Sequence, residues 1–212
     1  MANLEHLSTT RLPTLWGPFQ MALYLEKSSG KEHVFLWMGH LAQSDSPPLI
    51  RIHSECMTGD VFASLRCDCG QQLQEAMKAV AREGRGAILY LRQEGRGIGL
   101  AAKMRAYALQ DTGLDTVEAN LALGFAADER DFSVAVEMLL AAGVNGVRLI
   151  TNNPQKVEAL ESAGIRVVER VSIAPSEHQE NSRYLRTKVE KMRHLMSLDV
   201  AFVAEASSSE EG

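Results

Sequence analysis

Short apolar runs separated by turn-forming residues occupy the first fifty positions of the chain. Residues 34–38 and 49–53 are two such runs, and turn-rich segments at 28–30 and 44–48 separate them. Runs of this length between Gly, Pro and Ser clusters are typical of β-strands joined by short loops. The pattern predicts a small antiparallel β-meander in this part of the chain.

From Gly70 onward the apolar positions follow the period of a helix. Leu73, Met77 and Val80 share one helix face, and Gly84 is expected to end that helix. A short strand is predicted over residues 87–91. The same spacing predicts further helices from residue 100, from Asp128 and over residues 183–196.

The clearest local unit is a predicted strand, helix and strand between residues 147 and 171. Asn153 can cap the helix, Pro154 suits its first position, and Gly164 follows its end. Such βαβ units imply parallel strands. The predicted fold is therefore α/β of a mixed α+β kind, with an N-terminal antiparallel meander followed by βαβ-type units. We expect one catalytic domain over residues 1–198 and a disordered acidic tail over 199–212.

Charge and cysteine usage narrow the function classes. The chain has 212 residues and a formal net charge of -5, which argues against nucleic-acid binding and requires a local basic pocket for any anionic substrate. It contains no apolar run long enough for a membrane span, and its first residues do not resemble a signal peptide. The three cysteines all lie between residues 56 and 69, unlike a disulfide framework, so we expect a cytoplasmic protein.

The cysteine cluster is the strongest chemical signal. Cys56, Cys67 and Cys69 are too few for a four-thiolate structural zinc site. Three ligands leave a fourth position for water, which is typical of catalytic zinc. Two alternatives stay open from spacing alone: structural zinc completed by a histidine such as His53, or buried thiols without a metal.

Two glycine-rich or polar segments lie where a strand is followed by a helix. Residues 93–99 read Gln-Glu-Gly-Arg-Gly-Ile-Gly, and such turns can bring backbone amides to an anion. The segment fits neither a dinucleotide fingerprint nor a P-loop, and a tight turn explains it equally well. The second segment is residues 151–156, Thr-Asn-Asn-Pro-Gln-Lys. The positive charge of Lys156 is electrostatically unfavourable near a helix N-terminus unless an anion binds there, although its side chain could simply reach water.

Taken together, these segments resemble GTP cyclohydrolase II from about residue 11 to about residue 196. The motifs that carry the resemblance lie at residues 51–60 (RIHSECMTGD), 64–70 (SLRCDCG), 92–100 (RQEGRGIGL), 105–111, 115–120, 124–131 and 151–154. The family hydrolyses GTP to formate, pyrophosphate and a diaminopyrimidinone ribosyl phosphate, the first step of riboflavin biosynthesis. The resemblance implies the same reaction here, with one zinc ion, Mg²⁺ on the triphosphate, and a homodimer.

The resemblance also implies roles for individual residues. Zinc would be held by Cys56, Cys67 and Cys69 and would activate water for attack at C8 of guanine, assisted by Tyr107. Asp128 is implied as a proton acceptor and Arg130 as the nucleophile at the α-phosphorus; because a guanidinium stays protonated, a positive clamp is the more conservative role for Arg130. The implied GTP-lining residues are Arg51, Ile52, His53, Ser54, Glu55, Gln72, Glu94, Gly95, Arg96, Thr116, Thr151 and Lys156.

Each of these residues also has a plain structural explanation. Tyr107 shares a predicted helix face with Leu100, and Asp128 could merely cap a helix. Two other functions remain as alternatives: a non-catalytic GTP-binding paralogue with structural zinc, and a cyclohydrolase that stops at the formylated ring-opened product. A paralogue predicts the loss of Tyr107, Asp128 or Arg130, and all three are present.

Overall fold

A mixed β-sheet organises the strands of the protein. The computed structural model describes residues 3–42, 46–174 and 177–195. In these residues the sheet has seven strands in the order β1-β2-β3-β5-β4-β6-β7. Their bounds are Leu4–Thr14 (β1), Gly17–Glu26 (β2), Lys31–Met38 (β3), Leu49–Ser54 (β4), Gly86–Leu91 (β5), Gly146–Ile150 (β6) and Arg166–Val171 (β7).

The predicted meander is confirmed for the first three strands. β1 pairs with β2 and β2 with β3, both antiparallel. The expectation that residues 49–53 extend this meander is wrong, because β4 lies between β5 and β6 and is parallel to both. Five of the six β4 residues are buried, as is common for parallel strands in the interior of a sheet, whose side chains are covered on both faces.

The βαβ prediction is confirmed. Helix α6, Pro154–Ser162, connects the parallel strands β6 and β7. The Asn153 side chain accepts a hydrogen bond from the Gln155 backbone N–H, and Pro154 occupies the first helical turn. Gly164, just beyond the helix, has a φ of +81°, a backbone conformation that favours glycine.

The remaining helices are α1 (Met57–Asp60), α2 (Cys69–Glu83), α3 (Leu100–Gln110), α4 (Thr116–Ala122), α5 (Ser133–Ala141) and α7 (Ser182–Glu190). The sequence pattern predicted α2, α3, α5 and α7, but not the short helices α1 and α4. No helix in the described part of the chain is long and apolar enough to cross a membrane.

Two helix boundaries differ from the prediction. The helix expected from Asp128 begins at Ser133, because Asp131 accepts hydrogen bonds from Ser133 N–H and its hydroxyl, and Asp128 pairs with Arg130 instead. The C-terminal helix ends at Glu190, before Arg193 takes a φ of +55°, which a helix cannot accommodate. Met196 and the predicted tail over 199–212 lie outside the described residues.

The chain divides into two compact units. The first comprises the described residues of 1–55, 74–92 and 131–172, and the second those of 56–73, 93–130 and 173–212. The first contains the whole sheet together with α5 and α6. Its core packs Ile50 and Ile52 of β4 with Leu89 of β5 and with Met138 and Leu139 of α5. The expectation of a single catalytic domain over 1–198 stays a prediction.

Candidate active site

The predicted site residues fall in both compact units. The first unit holds Arg51, Ile52, His53, Ser54, Glu55, Thr151 and Lys156. The second unit holds Cys56, Cys67, Cys69, Gln72, Glu94, Gly95, Arg96, Tyr107, Thr116, Asp128 and Arg130.

The three cysteines converge in the second unit. Cys56 directly precedes α1, Cys69 is the first residue of α2, and Cys67 lies two residues before it. Their sulfur atoms all lie within 4.8 Å of one another, and the Sγ atoms of Cys56 and Cys67 are 3.7 Å apart. A tetrahedral zinc ion with Zn–S bonds of about 2.3 Å separates two sulfurs by about 3.8 Å. The geometry and the donor set therefore fit zinc.

No histidine joins this group of potential ligands in the part of the chain that the structure describes. His53, the histidine that the spacing offered as a fourth ligand, lies in β4 and stacks on Tyr90, with ring centroids 5.5 Å apart. A structural zinc site normally has four protein ligands. A three-sulfur group instead resembles the open coordination of a catalytic site.

Gly59 makes the convergence of the sulfurs sterically possible. A Cβ added at this position would lie 2.9 Å from Cys67 Sγ and 3.3 Å from Cys56 Sγ. Real side chains essentially never approach so closely, so the three cysteines pack around a position where only hydrogen fits. The Cys56 backbone N–H donates to Asp60 Oδ2 at 3.0 Å, which holds the loop that presents this sulfur.

Lys103 of α3 is a buried cation beside the cysteines. Its Nζ lies 3.2 Å from Cys56 Sγ, 2.8 Å from Glu94 Oε1 and 3.0 Å from Thr58 Oγ1. Burial lowers the pKa of Lys103, but the charge of Cys56 and the hydrogen bond to Glu94 outweigh it, and the pKa is raised. The ammonium is therefore charged at neutral pH.

The thiols differ in their tendency to ionise. Hydrogen bonds from the Cys67 and Cys69 thiols lower the pKa of Cys56, and the charge of Lys103 acts in the same direction. Donating to Cys56 raises the pKa of both Cys67 and Cys69. The ammonium beside the Cys56 sulfur therefore favours its thiolate form, the form that binds metal.

Tyr107 lies on the same helix as Lys103, one turn further on. Its ring is 5.5 Å from Lys103 Nζ and 5.0 Å from the Arg66 guanidinium carbon. Burial raises the pKa of Tyr107, although the charge of Lys103 opposes it. The phenol therefore keeps its proton at neutral pH and can act as a hydrogen-bond donor.

The glycine-rich segment forms a short 3₁₀ turn, Glu94–Gly97, between β5 and α3. Gly95 and Arg96 both have a φ of +62°, which costs a non-glycine residue about 1 kcal/mol or more. Buried Nη1 and Nη2 of Arg96 have no hydrogen-bond partner among the described residues. Two buried donor nitrogens without acceptors among the described residues, on a strained turn, are suited to receive an anion.

Asp128 and Arg130 form a two-point ion pair. Arg130 Nε donates to Asp128 Oδ1 at 2.8 Å and its Nη2 to Oδ2 at 2.5 Å. Burial raises the pKa of Asp128, but the hydrogen bonds and charge of Arg130, with a contribution from Arg96, outweigh it and lower the pKa. The carboxylate thus stays ionised and holds the guanidinium in place.

Gln72 and Thr116 have different surroundings. Gln72 Nε2 donates at 2.6 Å to Asp68, whose buried carboxylate also accepts from Lys188 Nζ of α7 at 2.6 Å. This links α7 to the Cys67–Cys69 turn. Thr116 begins α4 and lines an open pocket of about 160 Å³ together with Tyr184.

In the first unit, two predicted basic residues are buried, Arg51 in β4 and Lys156 in α6. Arg51 Nη1 donates to the Ile150 carbonyl at 3.1 Å, and Lys156 Nζ donates to the Ile52 carbonyl at 2.8 Å. Lys156 is 5% exposed, so the expectation that its stem could reach water is wrong. The acceptor of Arg51 is the last residue of the parallel strand β6, and the acceptor of Lys156 lies two residues before the end of the parallel strand β4; α/β sheets commonly bind ligands near the carboxyl ends of such strands.

The other predicted residues of the first unit have local partners or none. Thr151 Oγ1 accepts from the Asn153 backbone N–H at 3.0 Å, and Glu55 accepts from Arg92 Nε at 2.9 Å. The buried Ser54 Oγ has no hydrogen-bond partner within the described residues. The hydroxyl of Ser54 is therefore available to a ligand.

Sequence reasoning missed three residues that shape the cysteine group: Gly59, Lys103 and Asp68. Gly59 and Asp68 lie within the motifs at residues 51–60 and 64–70, but the sequence analysis gave them no role of their own. Lys103 carried one usable signal, a lysine one turn before Tyr107 on the predicted helix. Its partner Cys56 is 47 residues away in the chain, beyond the reach of local patterns.

Comparison with known proteins adds an independent line of support. The GTP cyclohydrolase II family model matches residues 5–172. Proteins named GTP cyclohydrolase-2 from Neisseria meningitidis serogroup C and Haemophilus influenzae are 55% and 54% identical over 194 residues. These alignments cover 92% of this chain and 98% and 90% of the relatives.

Among solved structures, RibBX, a two-domain 3,4-dihydroxy-2-butanone 4-phosphate synthase from A. baumannii, aligns with a TM-score of 0.48 at 17% identity. The alignment covers 82% of this chain and 41% of RibBX. The family match and the two near-full-length relatives are sufficient by themselves to assign the family. This chain belongs to the GTP cyclohydrolase II family of hydrolytic enzymes.

Proposed function

We propose that the protein hydrolyses GTP, opening the imidazole ring of guanine with release of formate and pyrophosphate. The product is 2,5-diamino-6-(5-phosphoribosylamino)pyrimidin-4(3H)-one, and the reaction is the first step of riboflavin biosynthesis. The observation that carries the proposal is the convergence of three cysteine sulfurs within 4.8 Å. Membership of the GTP cyclohydrolase II family supports the choice of substrate.

The ring-opening half of the reaction belongs to the cysteine group. Zinc, when held by Cys56, Cys67 and Cys69, supplies a Lewis acid that activates water for hydrolysis. Tyr107 keeps its phenolic proton because burial raises its pKa. It therefore acts as a proton or hydrogen-bond donor to the reacting base, which stabilises negative charge as it develops.

The phosphate half belongs to Arg130, Asp128 and Arg96. Asp128 is a weak base, because its pKa is lowered and both of its oxygens accept from Arg130. We therefore propose that Asp128 orients Arg130 rather than taking a proton. Arg130 then acts as a positive clamp on the phosphoryl group, and the guanidinium of Arg96 adds a second positive charge.

The remaining implied contacts complete the proposal. Arg51 to Glu55, Gln72, the Glu94–Arg96 turn, Thr116, Thr151 and Lys156 are proposed to line the GTP site, and Mg²⁺ is proposed to accompany the triphosphate. A homodimer and a cytoplasmic location stay predictions. Buried cations such as Lys156 and Arg51 suit a substrate that carries several negative charges.

A product assay tests the proposal. Zinc-loaded protein is incubated with GTP and Mg²⁺, and formate, pyrophosphate and the nucleotide product are quantified by mass spectrometry. Equal amounts of formate and pyrophosphate are expected. Pyrophosphate without formate would indicate the enzyme that stops at the formylated product, and GTP binding without turnover would indicate a non-catalytic paralogue.

The role of the cysteines needs a separate variant. Cys67→Ser removes one sulfur from the group and is expected to lose zinc and formate release together. Zinc content by atomic emission and formate yield are measured on the same sample. Full ring opening by metal-free Cys67→Ser protein would overturn the zinc role while leaving the assignment to GTP chemistry intact.

A further inference from the structure

Lys103 is a buried lysine to which the resemblance to GTP cyclohydrolase II assigned no role. It lies in α3 and is 7% exposed, although lysines are almost never buried without a partner. Its ammonium has three N–H donors, and three acceptors lie within 3.2 Å: Cys56 Sγ, Glu94 Oε1 and Thr58 Oγ1. With each donor matched, the ammonium has a fixed place and orientation.

Glu94 anchors this arrangement from the other side. Its Oε1 accepts from Lys103 Nζ and from the Gly95 backbone N–H at 2.9 Å, and its Oε2 accepts from the Met57 backbone N–H at 2.6 Å. The carboxylate therefore connects the glycine-rich turn, α3 and the first residue after Cys56. Both of its oxygens are used within the protein.

We propose that Lys103 is a positioning residue for the metal chemistry of the cysteine group. It fixes the Cys56 sulfur by a charge-assisted hydrogen bond and offsets the excess negative charge of three thiolates around a divalent cation. This inference rests on the proposed zinc site. Glu94 holds Lys103 in place and thereby acts through it.

The electronic consequence follows from the contact with sulfur. Three thiolates around Zn²⁺ give the site a net charge of about -1, and thiolates donate electron density that weakens the metal as a Lewis acid. A cation hydrogen-bonded to one thiolate reduces that donation. Partners of metal ligands commonly change metal affinity by about 10- to 100-fold when they are removed.

The hydrogen bond has a spectroscopic signature in the cobalt protein. Co²⁺ replaces zinc at thiolate sites and gives sulfur-to-metal charge-transfer bands in the near ultraviolet. A hydrogen bond lowers the energy of the sulfur lone pair, so it moves these bands to shorter wavelength. Loss of Lys103 should therefore move them to longer wavelength, a shift that a purely structural role does not produce.

The test compares wild type with Lys103→Met, a double variant and a control. Lys103→Met/Glu94→Gln removes both charges, so no buried carboxylate is left without its cation. Lys78→Met removes an exposed lysine of α2 that pairs with Glu75. Co²⁺ is titrated against a chelator of known affinity, the charge-transfer bands are recorded, and circular dichroism checks the fold.

Without the ammonium, the Cys56 sulfur is no longer held in place and the mutual repulsion of the three thiolates is no longer offset, so both Lys103 variants are expected to bind Co²⁺ about 10- to 100-fold more weakly than wild type. The stronger sulfur-to-metal donation is expected to appear separately, as bands at longer wavelength, while Lys78→Met matches wild type. Unchanged bands and affinity in the folded double variant would overturn the role of Lys103 and leave the metal site standing. A wild-type protein without charge-transfer bands would instead overturn the metal site, and the inference with it.

Discussion

Gly59→Ala is the change whose outcome depends most directly on the geometry of the cysteine group. The new Cβ would lie 2.9 Å from Cys67 Sγ, about 0.6 Å inside even the lower limit of ordinary contact distances, about 3.5 Å. Metal–ligand distances tolerate deviations of only about 0.2 Å. Relieving the contact requires a sulfur or the Gly59 backbone to shift by more than this tolerance, and we expect the arrangement of the sulfurs to be disturbed.

The magnitude follows from the cost of overpacking. Inserting one carbon into a well-packed site costs about 1–3 kcal/mol, equivalent to about 5- to 150-fold in zinc affinity if the whole cost falls on the metal-binding arrangement. The direction of the change in stability is informative, because Gly59 lies in α1 and does not have a positive φ. Without the clash, the replacement of a helical glycine by alanine would stabilise the protein by about 0.5–1 kcal/mol.

The assay is competition for zinc with a chromogenic chelator, together with thermal unfolding of the zinc-loaded protein. Gly146→Ala is the matched control, because a Cβ at that strand position would meet its nearest atom at an ordinary 3.6 Å. We expect weakened zinc binding for Gly59→Ala alone. Wild-type zinc affinity combined with a higher unfolding temperature would refute the reasoning about the convergence of the sulfurs.

Three further variants test other parts of the site. Lys188→Met leaves the buried Asp68 carboxylate without its cation and should lower the free energy of unfolding by about 3–5 kcal/mol in denaturant titrations; a loss no greater than that of Lys78→Met would contradict this. Tyr107→Phe should retain zinc and pyrophosphate release but lose about 100-fold or more in formate release, and equal rates for both products would refute it. Asp128→Asn tests the ion pair with Arg130. The folded-state pKa of Asp128 is lowered, so the ionised carboxylate contributes to stability above its unfolded pKa of about 3.9. That contribution is lost as pH falls through the folded pKa. The difference in unfolding free energy between wild type and Asp128→Asn should therefore narrow below about pH 4, and a constant difference would argue against the pair.

Local sequence signals determined the elements whose cause is local. Asn153, Pro154 and Gly164 predicted the bounds of α6, because capping hydrogen bonds and backbone preferences act within a few residues. The same kind of signal, Asp115 followed three residues later by Glu118, could have predicted α4, which the structure caps with that pair. The clustering of three cysteines likewise indicated a metal site without any knowledge of the fold.

Pairing and burial were decided by the tertiary structure alone. Whether β4 joins the meander or lies parallel between β5 and β6 depends on which strands pair with it. The apolar run that predicts the strand would have the same sequence pattern in either arrangement. Asp128 was expected to begin a helix, but Arg130 binds its carboxylate from two residues away while Asp131 contacts the start of α5. Competing hydrogen bonds of similar strength cannot be ranked from sequence.

The sequence by itself determined the family and the kind of fold and predicted a metal site at the cysteines, because long motifs and short-range periodicity carry that information. Only the folded chain showed that Lys103 contacts Cys56 from 47 residues away and that Lys188 contacts Asp68 from 120 residues away. The physical reason is that a buried charge is stable only with a partner, and the fold selects that partner by bringing distant residues together in space.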